Sequence, residues 1–476
     1  MDLKLFKEKY EHEVVKVMRD EKIPGISVLI TKDGKPIYQR AFGLREKGDA
    51  KPASLETLYG VSSITKSVTC MAILQLHESG KLDINDPISK YLPVDIGFVD
   101  NPIKILHLMS HASGVPSLMT FYFSQMNQLL VKAKAPEFPL GNWDDFYFHV
   151  NDAKSTLRSP PNTKYYYWNG GFALLSQIVE KVSGRSFEDY VKENILEPLE
   201  MNRSTFSLED VKKDKDSSRG YNFSIKDKQI QRSSTDLLSG PFIAGSGGLI
   251  SSVQEITNYL QCNLNGGEFN GKRVLAENLV KEMWDSHNRN FPQNYIHYCP
   301  GVKPAYGYGW RIFENFFGYK LIHHGGMSGV SGGYVGFIPE LNLTYAQLQN
   351  VHVTPVYLML TAFALLLGKD PQEEMPYYKM EKHYRRLCGR YEAYKKTITC
   401  KIEQRDSVLY LINDDWSQEI VLPLIPMNDD PEVMDFYIIT EYGTMNIPFT
   451  KHEDGNISFD WERHLLHKKT IELEEE

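Results

Sequence analysis

The chain has 476 residues, 42% of them hydrophobic, with 34 glycines and a formal net charge of −8. That is the composition of a folded globular protein and excludes a disordered, collagen-like or coiled-coil chain. The acidic balance argues against a polyanion partner, so no nucleic acid is expected. Aromatic residues reach 12%, including 28 tyrosines, enough for well-packed cores and an aromatic-lined cleft.

The first segment, residues 3–21, spaces Leu5, Tyr10, Val14, Val15 and Met18 as a helix, which Pro24-Gly25 stops. Residues 26–30 and 36–42 read as two strands around an Asp33-Gly34 turn, a strong hairpin signal. A helix follows from Ser63 to Ser79 with Gly80 as its C-terminal cap. Its middle is apolar nearly all round, so it is a core helix. A second apolar helix runs from Phe172 to Val182 and ends at Gly184. Later strands are expected at 320–322, 333–338 and 343–348, then a helix from Pro355. Strands at both ends with helices between them describe one α+β domain whose ends meet in a single antiparallel sheet. Composition turns polar near Asp370-Pro371, and beyond Cys388 the pattern becomes short strands, at 397–402, 408–412, 435–440 and 457–461. About 90 residues of this kind suffice for a small barrel.

The five cysteines, Cys70, Cys262, Cys299, Cys388 and Cys400, are scattered and contain no CxxC pair. Neither a disulfide framework nor a structural zinc site is expected. The first ten residues are charged throughout, without the apolar core of a signal peptide, and residues 356–367 are too few to span a bilayer. A cytoplasmic protein with no membrane partner is the expectation.

Three segments can carry chemistry. In Ser63-Ile64-Thr65-Lys66 the serine and lysine share a helix face, so the amine can reach the hydroxyl. The first helical turn favours an oxyanion there. The same pattern also describes a capping serine and a surface lysine, but a lysine opening a buried helix needs a partner or a shifted pKa. In Tyr165-Tyr166-Tyr167-Trp168-Asn169-Gly170-Gly171, a tyrosine beside a lysine can act as a base and Asn169 can bind an amide. The alternative is an aromatic core edge followed by a turn. Ile322-His323-His324-Gly325-Gly326 follows a strand, and its glycines allow a substrate to approach closely. Without an HExxH pattern, no metal and no cofactor are expected.

Residues 57–66 (Thr-Leu-Tyr-Gly-Val-Ser-Ser-Ile-Thr-Lys) resemble the nucleophile segment of the class C β-lactamase and penicillin-binding-protein-like serine hydrolases. The segments at 76–93, 107–116, 160–164, 244–249 and 306–310 match the same family in the same order. This resemblance makes Ser63 the acylated nucleophile, Lys66 its activating partner and Tyr167 a base or proton relay. It puts His323 with the catalytic set, and assigns Asn169, His324, Gly325 and Gly326 to substrate binding. The backbone N–H groups of Ser63 and Gly326 would form the oxyanion hole. His323-His324-Gly325 stands where β-lactamases carry Lys-Thr-Gly, which turns the expectation toward the esterase and D-amino-acid peptidase relatives. Asn162 and Glu200 replace usual glycines, and asparagine tolerates a left-handed backbone.

The expected architecture is therefore α+β: a β-lactamase/transpeptidase-like antiparallel sheet flanked by helices with a mainly helical insertion, over residues 1–375. A C-terminal all-β, lipocalin-like barrel follows over 385–476, read as a gate or as an assembly module for a homo-oligomer, with a ligand-carrying barrel as the alternative. The expected activity is serine hydrolysis through an acyl-enzyme, on short peptides or amides, including those with D-residues, or on small carboxylic esters. A β-lactamase and a non-catalytic penicillin-binding-like sensor are the alternatives. The aromatic stretch 119–150 either caps the cleft or packs on itself.

Overall fold

Phe6, Tyr10, Val14 and Val17 recur at three- and four-residue spacing and form the buried face of helix α1, Leu3–Asp20. The structure, a computed structural model, describes residues 3–118, 140–157, 159–226, 229–292, 301–353, 355–405, 407–413, 420–440, 443–461 and 463–469. After α1 come strands β1 (Gly25–Lys32), β2 (Lys35–Glu46) and β3 (Lys51–Pro52). The β1–β2 turn forms as Asp33-Gly34 predicts, with positive φ of 51° and 71° at the two residues. Helices α2 (Thr65–Glu78), α3 (Trp143–Asp152), α4 (Asn169–Ser183) and α5 (Val253–Leu264) lie between these strands and the rest of the sheet. Gly184, at φ 71°, caps α4.

The remaining strands are β4 (Pro304–Tyr306), β5 (Arg311–Phe316), β6 (Tyr319–Met327), β7 (Gly332–Ile338) and β8 (Leu343–Gln349). Helix α6 (Val356–Leu366) follows. The sheet runs β4-β5-β6-β7-β8-β1-β2-β3, every neighbour antiparallel. The two ends of the unit thus meet at β1 and β8, as the sequence implies.

Side-chain alternation along β8 shows how the sheet is covered. Ala346 and Leu348 face the main core with α2, α4 and α5. Tyr345, Gln347 and Gln349 face α1 and α6 and are buried. These three form a hydrogen-bonded row. Tyr10 Oη lies 2.9 Å from Tyr345 Oη, Tyr345 donates to Gln347 Oε1 at 2.6 Å, and Gln347 donates to Gln349 at 2.9 Å. Gln349 closes the row on the Val353 carbonyl.

The chain divides into two compact units, one up to Gly368 and one from Lys369. In the second, helix α7 (Pro376–Leu387) precedes strands β9 (Gly389–Glu392), β10 (Thr399–Arg405), β11 (Val408–Asn413) and β12 (Ile420–Pro426). Strands β13 (Asp435–Thr440), β14 (Gly443–Lys451), β15 (Ile457–Trp461) and β16 (His464–Lys468) complete a closed barrel in sequence order. Its core holds Tyr391, Leu411, Phe436, Phe449 and Phe459, joined by Tyr384 and Leu387 of α7. Among the described residues no helix is long and apolar enough to cross a membrane.

Removing the Tyr345 hydroxyl leaves the buried Gln347 Oε1 without its donor, a cost of about 1–3 kcal/mol, whereas removing that of Tyr10 deletes the outer bond of the row, worth about 0.5–1.5 kcal/mol. Tyr345→Phe is therefore expected to lower the melting temperature more than Tyr10→Phe. Equal shifts by calorimetry would show that the row is not a coupled network.

Candidate active site

The Ser63 turn is held from three directions. Residues Ser62–Ile64 form a single 3₁₀ turn leading into α2, with Ser62 at a left-handed φ of 54°. Val61 N–H donates to the Leu249 carbonyl at 3.0 Å. Thr65 Oγ1 donates to the Ser62 carbonyl at 2.7 Å and accepts from Leu249 N–H at 3.2 Å. Gly309, at φ 72°, lies against α2: a Cβ there would stand 2.8 Å from the Lys66 carbonyl oxygen.

One turn on, Lys66 is completely buried. Its Nζ lies 3.0 Å from Ser63 Oγ and donates to the Ser246 carbonyl at 2.6 Å. The Tyr167 ring centroid is 4.8 Å from the same nitrogen and that of Phe172 5.4 Å. Burial, and secondarily the Arg311 charge, holds the amine well below the ordinary lysine range. The Ser246 carbonyl can only accept, so it takes an amine hydrogen and leaves the nitrogen lone pair available to Ser63. Sequence reading did not find Ser246, because a backbone carbonyl leaves no residue-type signal.

Tyr167 and Asn169 flank the buried Trp168 at the start of α4, both half-buried. The glycine pair after them is steric: a Cβ on Gly170 would stand 2.5 Å from the Trp168 indole nitrogen, and one on Gly171 3.0 Å from the same ring. His111 packs its imidazole on Tyr167 at 4.2 Å between centroids. Asn162 and Glu200 take the left-handed φ, 66° and 57°, that explains glycine at such positions.

The third segment needs correction. The strand expected at 320–322 continues to Met327, so both histidines lie inside it and face opposite sides. His323 pairs with Gly336, whose Cβ position meets Met359 of α6. It packs on Phe313 and Tyr334, with ring centroids 4.5 and 6.0 Å away, and neither ring nitrogen has a partner. It therefore sits on the face away from Lys66. His324 is the histidine brought to the site, its ring 6.5 Å from that of Tyr167.

His324 Nδ1 donates to the Gly325 carbonyl at 2.7 Å, which leaves Nε2 to accept from Tyr306 Oη at 2.9 Å. Burial, with Arg311 and Lys66 adding to it, holds the imidazole neutral. Gly325 alternates with His324, and its Cβ position meets the Tyr334 ring on the His323 face. Gly326 lies tightly against the Ser63 turn, where a Cβ would overlap the Val61 carbonyl and stand 3.1 Å from Ser62 Cβ.

The oxyanion-hole expectation shifts by one residue for the same reason. The Gly326 carbonyl oxygen lies 2.8 Å from the Cβ position of Gly332 on β7, so the Gly326 N–H also faces β7. The next amide, Met327 N–H, faces the opposite edge, where pairing with β5 has already ended at His323.

Of the aromatic stretch, residues 119–139, with Phe121, Tyr122 and Phe123, lie outside the described residues. Its described part, α3, packs Trp143 and Phe146 on Phe242 at 4.9 and 5.9 Å between centroids.

Two family profiles match the chain: one described as "Beta-lactamase" over residues 10–368, and one described as "Pab87 octamerisation domain" over residues 371–467. The fold and the serine–lysine turn are those of the penicillin-binding class, and the chain belongs to the beta-lactamase family. A solved structure titled as the octameric penicillin-binding protein homologue from Pyrococcus abyssi is 33% identical, with a TM-score of 0.86, covering 98% of this chain and 100% of that one. Penicillin-binding protein 4* of Bacillus subtilis is 31% identical over 37% of this chain and 37% of its own length. A protein named putative D-alanyl-D-alanine carboxypeptidase, from Escherichia coli O157:H7, is 27% identical over 62% of this chain and 70% of its own. Protein flp of Staphylococcus aureus MW2 is 24% identical over 69% of this chain and 60% of its own. The match thus spans about a third to two thirds of these curated relatives.

Burial depresses the pKa of His323 well below 6.5, with Arg311 adding to the effect. The unfolded chain takes up a proton near pH 6.5 that the folded chain refuses. The stability of the neutral form is complete above pH 6.5 and falls as pH drops below it, by about 1.4 kcal/mol per pH unit for one such group. His323→Leu removes a buried imidazole without breaking a hydrogen bond. The variant is expected to lose less stability than the parent between pH 6.5 and 4.5, measured by chemical unfolding. Parallel pH curves would refute a neutral buried His323.

Proposed function

We propose that the protein is a serine hydrolase that works through a covalent acyl-enzyme at Ser63. The observation that carries this is the buried Lys66 nitrogen, 3.0 Å from Ser63 Oγ with its other bond on a carbonyl that can only accept. In the acylation step the Lys66 lone pair takes the Ser63 proton as Oγ attacks the substrate carbonyl. The oxyanion forms against the N–H groups of Ser63 and Met327, at the positive end of α2. Tyr167, whose ring covers Lys66, relays the proton to the leaving group. Water then attacks the acyl carbon by the same path reversed and releases the acid. Asn169, half-buried at the first turn of α4, binds the substrate amide.

The charge of the site supports one reading of the substrate class. His324 is neutral with both ring nitrogens engaged, so it offers no cation to a substrate carboxylate. Short peptides or amides, including those with D-residues, and small carboxylic esters fit this wall. The carboxypeptidase name carried by a relative supports an acyl-transfer reaction on such bonds.

A fluorophosphonate probe is expected to label the native protein and not Ser63→Ala. Lys66→Ala is expected to slow acylation by at least about 10²-fold, the size of a proton-transfer contribution. Hydrolysis of a panel of p-nitrophenyl esters, D- and L-aminoacyl anilides and a cephalosporin, each run against Ser63→Ala, reads the substrate class. Equal labelling of Ser63→Ala would refute the nucleophile.

We also propose that the barrel assembles copies of the chain. The profile over residues 371–467 supports this, as do apolar side chains left outward on the barrel, among them Val408, Leu465 and Ile439, the last 61% exposed. Light scattering is expected to give a multiple of the 54.7 kDa chain mass, and Ile439→Lys to reduce it. A monomeric parent would overturn the assembly role.

A further inference from the structure

We propose that His111 is a positioning residue that fixes Tyr167 over Lys66 by holding both of its neighbours in the chain. The proposal rests on the reading of Tyr167 as the proton relay. His111 follows the short helix Ile105–Met109 and takes a left-handed φ of 55°. Its carbonyl oxygen accepts Tyr166 N–H at 3.1 Å, and its ring Nδ1 accepts Trp168 N–H at 3.2 Å. The backbone N–H groups of the residues before and after Tyr167 are thus both tied to one residue. Asn288 holds that residue in turn, donating from Nδ2 to the His111 carbonyl at 3.2 Å.

The ring itself limits what freedom remains. Its centroid lies 4.2 Å from that of Tyr167 at a 39° tilt, and the rings of Phe172 and Tyr306 also pack against it at 5.1 and 4.9 Å. With Nδ1 accepting, the neutral imidazole carries its hydrogen on Nε2, which is buried and has no partner. A phenylalanine would fill this space without an unpaired N–H. What imidazole adds is its one engaged atom, the Nδ1 acceptor opposite Trp168 N–H. Fixing a proton carrier in this way matters because misplacement by about 1 Å can cost on the order of 10²-fold in rate.

Four variants of the full chain test this, with turnover of an ester or anilide substrate split into kcat and KM. Asparagine tolerates a left-handed φ and places Oδ1 near the position of Nδ1. His111→Leu is expected to lower kcat by about 10²-fold with KM within about threefold, and His111→Asn to recover kcat to within about tenfold of the parent. In a Tyr167→Phe background, His111→Leu is expected to add almost nothing, because there is no relay left to position. Loss confined to KM, equal kcat for the Leu and Asn variants, or full additivity with Tyr167→Phe would each overturn the proposal. Should His111→Leu fail to fold, His111→Gln takes its place, with an acceptor one bond too far out and a kcat expected below that of His111→Asn. Unchanged kcat in Tyr167→Phe would refute the relay reading. An impaired Tyr167→Phe beside an unimpaired His111→Leu would refute the clamp alone.

Discussion

A single buried amine organises the first unit. Lys66 has no carboxylate among its described contacts; its nitrogen meets a hydroxyl, a carbonyl and the faces of two aromatic rings. Such a setting penalises the charged form, and the surrounding structure is arranged so that the neutral form is well satisfied. Ser246 is presented by a tight turn whose Gly245 leaves room for α4, since a Cβ there would stand 2.6 Å from the Phe172 carbonyl oxygen. Gly309 does the same for α2 from the other side. Gly245 and Gly309 thus stand where backbone must come close to α4 and to α2.

The electrostatic consequence is a site lined by groups that are polar yet neutral. His111 and His324 are both pushed well below their ordinary range, by burial first and then by the neighbouring Lys66 and Arg311 side chains. Tyr306 is pushed up by burial and by the tyrosines 167 and 165. On the proposed mechanism, charge appears only when a proton leaves Ser63, and the fixed dipoles of the Ser63 turn meet it without reorganising.

Much of this was legible in the sequence because it is local. The hairpin at Asp33-Gly34, the apolar helix behind Ser63 and the caps at Gly80 and Gly184 follow from neighbouring residues alone. The serine–lysine pair was legible because one helical turn sets its geometry. The third segment was not. Whether His323 or His324 faces the site depends on the parity of a strand whose true end is Met327, and glycines at 325 and 326 hid that continuation. Barrel strands β9, β12, β14 and β16 were not among the expected strands; β12 and β14 accommodate Pro423, Pro426 and Pro448, residues that ordinarily interrupt a strand pattern. His111 gives no local signal at all, since its partners Tyr166, Trp168 and Asn288 are distant in sequence.

The position of β1 between β2 and β8 has a consequence for how the protein comes into being. Tyr10 and Tyr345, which join α1 to the sheet, are 335 residues apart. The helix carrying Ser63 and Lys66 leaves the ribosome long before β6 and its Met327 amide exist, and long-range pairing of this kind is slow. A nascent or truncated chain therefore holds the Ser63 turn without the second wall of its site. On the proposed mechanism, reactivity arrives only with the closing of the sheet, so acylation of Ser63 would double as a report that the whole first unit has folded.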